Sequence, residues 1–255
     1  MITVDQLKDI AKIKGLTNLG HAEKDYIQEL ILLIIYRNFD YLVFKGGTAL
    51  YKLYKLNRFS EDLDFGAIKE LNENIFLTYI KNGLKRFDIE LENIRKKKAY
   101  DSILIKLLIK GLLYTGERIS TCSLRIDINK KSNVIEYNAL NISSLYPDIP
   151  TFQILAMSEK EILAEKIRAL LTRNYARDLY DIYFLIDKNI ECDKDIIEKK
   201  LFYYNKKINK TEIKRKIKEK KDIWNRELLP LVKDLPNFND VSKKVEKILL
   251  NKLSP

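Results

Sequence analysis

The fold of this chain is decided by residues 41–65, which read YLVFKGGTALYKLYKLNRFSEDLDF. The apolar run 41–44 predicts a short buried strand, and residues 48–56 return to the apolar spacing of a helix. Gly46-Gly47 interrupts the two patterns, and glycine is scarce in this chain, with 8 residues in 255. The segment therefore predicts a strand, a glycine turn and a helix in succession.

Two acidic residues at the end of this segment are the first candidates for chemistry. Asp62 and Asp64 alternate with Leu63 and Phe65, which is the period of a strand. In a strand the two carboxylates would point to the same face, and oxygen ligands held this close suit Mg²⁺. The alternative is an Asp-x-Asp sequence in a solvated turn.

The glycine turn precedes these acids and has the composition of a phosphate-binding turn. Backbone N–H groups at the start of a helix attract anions, and glycine lets a phosphate approach closely. The neighbouring side chains can add charges or hydroxyl donors, and Ser60 would share the carboxylate face if the strand extended back to it. The candidate nucleotide-binding residues are Lys45, Gly46, Gly47, Thr48, Arg58 and Ser60. A simple helix cap would look the same at the glycine turn.

A third carboxylate comes from a strongly alternating segment, Cys122 to Asn129. Its polar face carries Arg125 and Asp127, and an acid on the face of a central strand usually has a partner. Asp127 is therefore a candidate third metal ligand, as in two-metal phosphoryl transfer. The alternative is an exposed strand face on which Asp127 pairs with Arg125. Strands are also predicted at 87–100, 102–110 and 151–156, and helices at 4–14, 21–38 and 71–86.

After residue 157 the pattern becomes helical. Ser158 to Glu161 forms a predicted capping box for a helix that ends near residue 173, and a second helix follows at 176–188. Lys166 lies at the edge of the first apolar stripe and could reach a triphosphate. Asp178 and Asp181 share a face of the second helix, where they could orient Lys166 or form an ion network between the helices. The predicted domains are an α/β core, residues 1–157, and a helical domain, residues 158–255.

Composition excludes several classes of protein. Two distant cysteines and a single histidine argue against a zinc site, a disulfide scaffold and a histidine-based triad. The first residues lack the pattern of a signal peptide, and no apolar run approaches the length of a membrane span, so we expect a cytoplasmic protein with no membrane partner. The net charge of +11 favours a polyanionic partner, although a lysine-biased surface would give the same number.

Four motifs in this order resemble the AbiEii/AbiGii toxin family of nucleotidyltransferases. They read KGGTAL at 45–50, RFSEDLDF at 58–65, AEKIRAL at 164–170 and RDLYDIYFL at 177–185. The pattern is also similar to the MenT toxins, and both groups belong to the DNA polymerase beta-like superfamily. Thr48 stands where the wider superfamily has serine.

The resemblance implies an α+β fold, with a mixed β-sheet core flanked by helices and an all-helical C-terminal domain that completes an active-site cleft. It implies Mg²⁺ (or Mn²⁺) as cofactor and an NTP as substrate. Motif matching makes Ser60, Asp62 and Lys166 active-site residues. Asp178 is the favoured catalytic aspartate of the last motif, Asp181 comes next and is a candidate nucleotide-binding residue, and Asp64 completes the metal pair.

The resemblance further implies transfer of NMP from the NTP to an acceptor, often the 3′ end of tRNA, by the toxin of a toxin–antitoxin or abortive-infection pair. A cognate antitoxin protein is then an expected partner. The lysine-rich helices after residue 190, with Tyr203 and Tyr204, are candidates for contact with RNA. Three alternatives stay open: transfer to a small molecule or a protein, a non-catalytic RNA-binding or partner-binding module, and a structural helical scaffold.

Overall fold

The computed structural model describes residues 1–98, 101–130 and 133–253. The chain forms two compact units: the first comprises residues 1–53 and 61–156, and the second comprises residues 54–60 and 157–255. The segment 54–60 precedes the second strand in the chain but belongs to the second unit. Arg58 and Ser60 are therefore parts of that unit.

The first unit is built on a seven-stranded mixed sheet with the order β3-β4-β5-β2-β1-β7-β6. The strands β1 and β2 are antiparallel, β2 and β5 are parallel, and β5, β4 and β3 continue as antiparallel neighbours. The strand bounds are β1 Leu42–Lys45, β2 Leu63–Ala67, β3 Glu90–Lys98, β4 Ser102–Lys110, β5 Cys122–Asn129, β6 Tyr137–Ile142 and β7 Phe152–Met157. The predicted α+β class with a mixed sheet is confirmed.

One face of the sheet is apolar and packs against helices, because alternate side chains of a strand point to opposite faces. Ile126 of β5 lies opposite Leu63 of β2 and Ile105 of β4, and all three are buried. The helices of this unit are α1 Val4–Ile13, α2 Leu19–Tyr36, α3 Gly46–Tyr54 and α4 Glu73–Lys85, and a short 3₁₀ helix spans Arg118–Ser120. The opposite face, which carries Asp127, is called the polar face below.

Most predicted strands and helices of this unit are present, with small shifts at their ends. The strand predicted at 87–100 is β3, and its last two predicted residues lie outside the described residues. The strand β6 is a strand that the sequence pattern missed. Its residues are mostly exposed, so it lacks the alternation of apolar and polar side chains on which such a prediction depends.

A buried cluster of four charged residues joins three helices of the first unit. Asp25 and Glu29 of α2 receive hydrogen bonds from Lys14, which follows α1, and from Lys52 of α3. Tyr146 donates a further hydrogen bond to Asp25. Burial alone would raise the pKa of Asp25, but the charges of Lys52 and Lys14 outweigh it and lower that pKa to about 2. Two acids and two lysines thus hold α3 against α2.

Up to residue 253, where the described residues end, the second unit contains six helices: α5 Glu159–Thr172, α6 Ala176–Asp187, α7 Lys194–Phe202, α8 Lys210–Lys218, α9 Lys221–Leu228 and α10 Phe238–Lys252. Ser158 caps α5 by accepting a hydrogen bond from the backbone N–H of Glu161, as predicted from the capping-box sequence. Trp224, the single tryptophan, is buried in this unit against Tyr180 and Phe238. No helix of the described residues is long and apolar enough to cross a membrane.

Candidate active site

The polar face of the sheet brings together the acids that the sequence singled out. Asp64 on β2 is the register partner of Asp127 on β5, and on its other side it lies opposite Lys45 of β1. The strand β2 begins at Leu63, so Asp62 comes immediately before it. Asp62 binds Arg125, which shares its face with Asp127, so Asp62 and Asp64 lie on the same side of the sheet.

The side-chain partner of Asp62 is Arg125, a pairing that the sequence did not predict. Its Nε donates to Oδ1 of Asp62 at 2.9 Å, and its terminal nitrogen donates to Oδ2, so the pair is bidentate. The alternative in which Arg125 pairs with Asp127 is not the pairing observed. The alternation in the sequence places Arg125 two residues before Asp127 and on the same face of β5. The partner of Arg125 is decided by how β5 aligns with the segment before β2.

The environment of Asp127 raises its pKa to about 6. The largest cause is burial, the next is the negative charge of Asp64, and Lys45 partly offsets both. The two carboxylates on neighbouring strands therefore repel each other, and the positive charge of Lys45 offsets this repulsion only in part. A cation placed at these acids would relieve that repulsion.

The glycine turn touches the same acids. Gly46 is the first residue of α3 and has a φ of +77°, which is strained for every residue with a side chain. A Cβ atom on Gly46 would overlap Oδ2 of Asp64 and lie 3.1 Å from its Cβ and Cγ. Glycine is required here both for its backbone conformation and because the Asp64 carboxylate occupies the space of a side chain.

Thr48 links α3 to the segment that carries the acids. Its side chain is fully buried, and its hydroxyl donates a hydrogen bond to the backbone carbonyl of Asp62. This contact orients the residue before β2 relative to the glycine turn. The hydroxyl therefore has a structural contact in this arrangement, and its predicted contact with a phosphate stays a prediction.

A divalent ion fits the chemistry of these side chains. Asp62, Asp64 and Asp127 offer hard carboxylate oxygens on one face of the sheet, and the pKa of Asp127 is raised first by burial and then by the negative charge of Asp64. Within the described ranges, no three His, Cys, Asp or Glu side chains form a ready arrangement for a metal ion. The carboxylate of Asp62 forms an ion pair with Arg125 rather than lying free for a metal ion.

The second unit contains a buried ion network built from the later motifs. Lys166 of α5 contacts Asp178 at 3.2 Å and Asp181 at 2.7 Å, and both aspartates of α6 are fully buried. Arg58 binds both oxygens of Asp181 at 2.7 Å, and Arg173 binds both oxygens of Asp178. The network thus holds three cations around two anions, and the alternative of an ion network between helices is realised.

The charges in this network keep both aspartates ionised. Burial alone would raise the pKa of Asp178 and of Asp181, but the neighbouring cations outweigh it and lower both. Lys166 leads the cations acting on Asp178, and Arg58 leads those acting on Asp181. Arg58 was predicted to meet a phosphate, but it is almost fully buried and both its contacts with Asp181 are made inside this unit.

The fold is that of a nucleotidyltransferase. The Helicobacter pylori protein JHP933 superposes with a TM-score of 0.62 at 20% identity, and the match covers 91% of this chain and 93% of that chain. MenT4, a nucleotidyltransferase toxin from Mycobacterium tuberculosis H37Rv, superposes with a TM-score of 0.59 at 17% identity, over 97% of this chain and 88% of that chain. No curated protein matches the sequence.

The family is given by the sequence itself. Residues 33–249 match the family model of the nucleotidyl transferase AbiEii toxin of type IV toxin–antitoxin systems. The matched range includes the glycine turn, all three acids of the polar face and the ion network. This chain belongs to the AbiEii nucleotidyltransferase toxin family, so the predicted family is confirmed.

Proposed function

We propose that this protein transfers NMP from an NTP to a hydroxyl group at the end of an RNA, with a divalent ion held by Asp62, Asp64 and Asp127. The observation that carries the proposal is the register of Asp64 with Asp127 on adjacent strands, beside the turn at Gly46. Mg²⁺ or Mn²⁺, when bound, would neutralise charge on the phosphates and lower the pKa of the attacking hydroxyl.

In the reaction, the acceptor oxygen forms a bond to the α-phosphorus while the bond from that phosphorus to the bridging oxygen breaks. Pyrophosphate leaves, and the proton of the hydroxyl passes to a base, for which Asp127 is our candidate. The backbone at Gly46 and Gly47 and the side chain of Lys45 would hold phosphate oxygens. Catalysis of this kind depends mainly on positioning and charge.

The remaining motif residues have proposed roles as well. Lys166 and Ser60 bind phosphate oxygens, as their motifs imply, and Thr48 supports the turn through Asp62. Asp178 and Asp181 are positioning residues, because their carboxylates hold the ammonium group of Lys166. Arg58 acts on Asp181 in the same indirect way.

The proposed biological context is that of the family. RNA as the acceptor is supported by the net charge of +11, and a tRNA 3′ end is the particular acceptor that we propose. A cognate antitoxin is the proposed protein partner, since the family consists of toxins of type IV systems.

The test is a transfer assay with each α-labelled NTP, Mg²⁺ and total RNA. Wild-type protein should label RNA, and Asp64→Asn should abolish labelling because it removes one of the two paired charges. Asp40→Asn is the matched control: it makes the same change in the same unit at a side chain that is 86% exposed. Labelling that persists in Asp64→Asn, or no labelling by wild type with any NTP, would reject the proposal.

A further inference from the structure

The polar face of the sheet carries cations as well as the three acids. Lys106 of β4 lies opposite Arg125 of β5, and Arg95 of β3 lies opposite Lys106. Lys97 of β3 occupies the same face two residues further along. Arg95, Lys97, Lys106 and Arg125 are called the basic row, and they span three neighbouring strands, a width of about 10 Å.

The basic row is open to solvent and its outer members are uncompensated. Arg95, Lys97 and Lys106 are exposed, and none of the three forms an ion pair within the described ranges. A surface that leaves several like charges unpaired on one face is an attractive site for a polyanion. Arg125 is 61% exposed even though its guanidinium group binds Asp62.

The basic row leads directly to the acids. Lys97 lies opposite Leu104, Leu104 lies opposite Asp127, and Asp127 lies opposite Asp64. Leu104 is 37% exposed, and it offers an apolar surface beside the acids. One face therefore presents, in order, free cations at the sheet edge, an apolar contact and the carboxylates.

We propose that the basic row binds the phosphate backbone of the RNA acceptor and guides its terminal hydroxyl towards Asp64 and Asp127. This inference rests on the proposed function. Successive cations at the spacing of strands suit a chain of phosphates, because each can neutralise a separate charge. Arg95 at the outer end of the row can bind a phosphate through two parallel hydrogen bonds, whereas Arg125 already binds Asp62 in this way.

The sequence indicated a different surface, the lysine-rich helices after residue 190, and the two surfaces can be separated by experiment. A third explanation is that charges on β3 protect a free edge, since lysine on an edge strand prevents pairing with other chains. That explanation predicts aggregation, and no change in RNA binding, when the charges are removed.

The experiment measures binding of a short fluorescent single-stranded RNA to the full chain by anisotropy at several salt concentrations. The test variant is Arg95→Gln/Lys97→Gln/Lys106→Gln. Because this variant lacks three of the cations that would bind phosphates, the slope of log affinity against log salt should become shallower by roughly 2. The matched control is Lys81→Gln/Lys85→Gln/Arg86→Gln, which removes the same charge from an exposed face of α4 and its C-cap in the same unit.

A slope change in the test variant and not in the control supports the proposal. Equal changes in both variants would mean that only total charge matters, and would overturn it. A third variant, Lys207→Gln/Lys210→Gln/Lys218→Gln, tests the lysine-rich segment, and a weaker salt dependence confined to this variant would also overturn it. The single variant Lys106→Gln, with one third of the expected effect, covers the case in which the triple variant does not fold.

Failure of the proposed function would look different. Transfer to a dinucleotide acceptor does not need contacts at the sheet edge, so the test variant should keep its kcat there while the KM for long RNA rises. If wild type transfers to neither acceptor, the enzymatic proposal fails and the salt slope still decides whether the basic row binds RNA. If the KM for long RNA is unchanged in the test variant, the basic row is not the acceptor surface.

Discussion

Replacing Gly46 by alanine should damage the site through two separable effects. The φ of +77° costs about 1–2 kcal/mol for any residue with a Cβ. The added methyl group would also overlap the Asp64 carboxylate, and overpacking of this kind costs about 1–3 kcal/mol. We expect Gly46→Ala to lower the free energy of unfolding by about 2–5 kcal/mol in total.

Gly15 provides the control for backbone strain. Its φ is +68°, and a Cβ atom there would meet nothing within 4 Å. Gly15→Ala should therefore cost only the backbone contribution of about 1–2 kcal/mol. The difference between the two variants, measured by urea unfolding followed by circular dichroism, isolates the contact with Asp64.

A double-mutant cycle tests the contact directly. Asp64→Ala removes the carboxylate that the new methyl group would strike, so the double variant should lose less stability than the sum of the two single variants. Gly46→Ala should also weaken binding of Mn²⁺ to the protein by roughly 10- to 100-fold, because it displaces a proposed ligand. Additive stability losses, or Mn²⁺ binding equal to wild type, would refute the reasoning.

The remaining predictions concern the charged groups. Arg125→Gln should strengthen Mn²⁺ binding by about 2- to 5-fold, measured calorimetrically, because it releases the Asp62 carboxylate from a partly exposed ion pair. Asp181→Asn should lower the free energy of unfolding by about 3–5 kcal/mol, because it leaves buried cations without their anion. Lys166→Met should lower it by less than about 1 kcal/mol, because Arg58 and Arg173 still pair with the two aspartates. Asp25 should contribute roughly 2 kcal/mol to the free energy of unfolding above pH 4, because its pKa is lowered to about 2 in the folded state. This contribution should be lost as the pH falls towards 2, and Asp25→Asn should remove this part of the acid dependence.

Each of these predictions has a built-in comparison. For Arg125, the control is Lys106→Gln, which removes the same charge from the next strand without touching Asp62, and an equal gain in Mn²⁺ affinity would mean that net charge alone is responsible. For the ion network, Trp224 fluorescence follows unfolding of the unit that contains it. If Asp181→Asn and Lys166→Met lower the free energy of unfolding equally, the excess of three cations over two anions does not explain the stability of the network. For Asp25, the stability difference between wild type and variant must shrink on acidification, and a constant difference would exclude the pKa as its cause.

The sequence predicted local structure well where the pattern was strong. The segment 41–65 predicted a strand, a glycine turn and a helix, and these are β1 and α3, with Gly46 at the junction. The alternation of residues 122–129 predicted β5 with its bounds. Such patterns succeed because burial selects the same face at every second residue of a strand, whatever the strand pairs with. The pattern failed at β6, whose residues are mostly exposed.

The pairing of charged groups could not be predicted from the sequence. Alternation placed Arg125 and Asp127 on one face, but whether Arg125 meets Asp127 or Asp62 depends on the parallel register of β2 with β5, which joins residues 63 positions apart. Likewise, the motif containing Asp181 indicated an ion network on α6, but its partner Arg58 lies 123 residues earlier. Long-range pairs of this kind follow from topology, and no local spacing encodes them.

By itself, the sequence determined which residue types were available for chemistry: carboxylates, lysine and a glycine turn, in the order of a known family. The tertiary structure decided how they are combined. It placed Asp64 beside Asp127, assigned Asp62 to Arg125 and used Thr48 as a structural link. The physical reason is that residue chemistry is local to each side chain, whereas distance and charge compensation arise only when strands and helices from distant parts of the chain pack together.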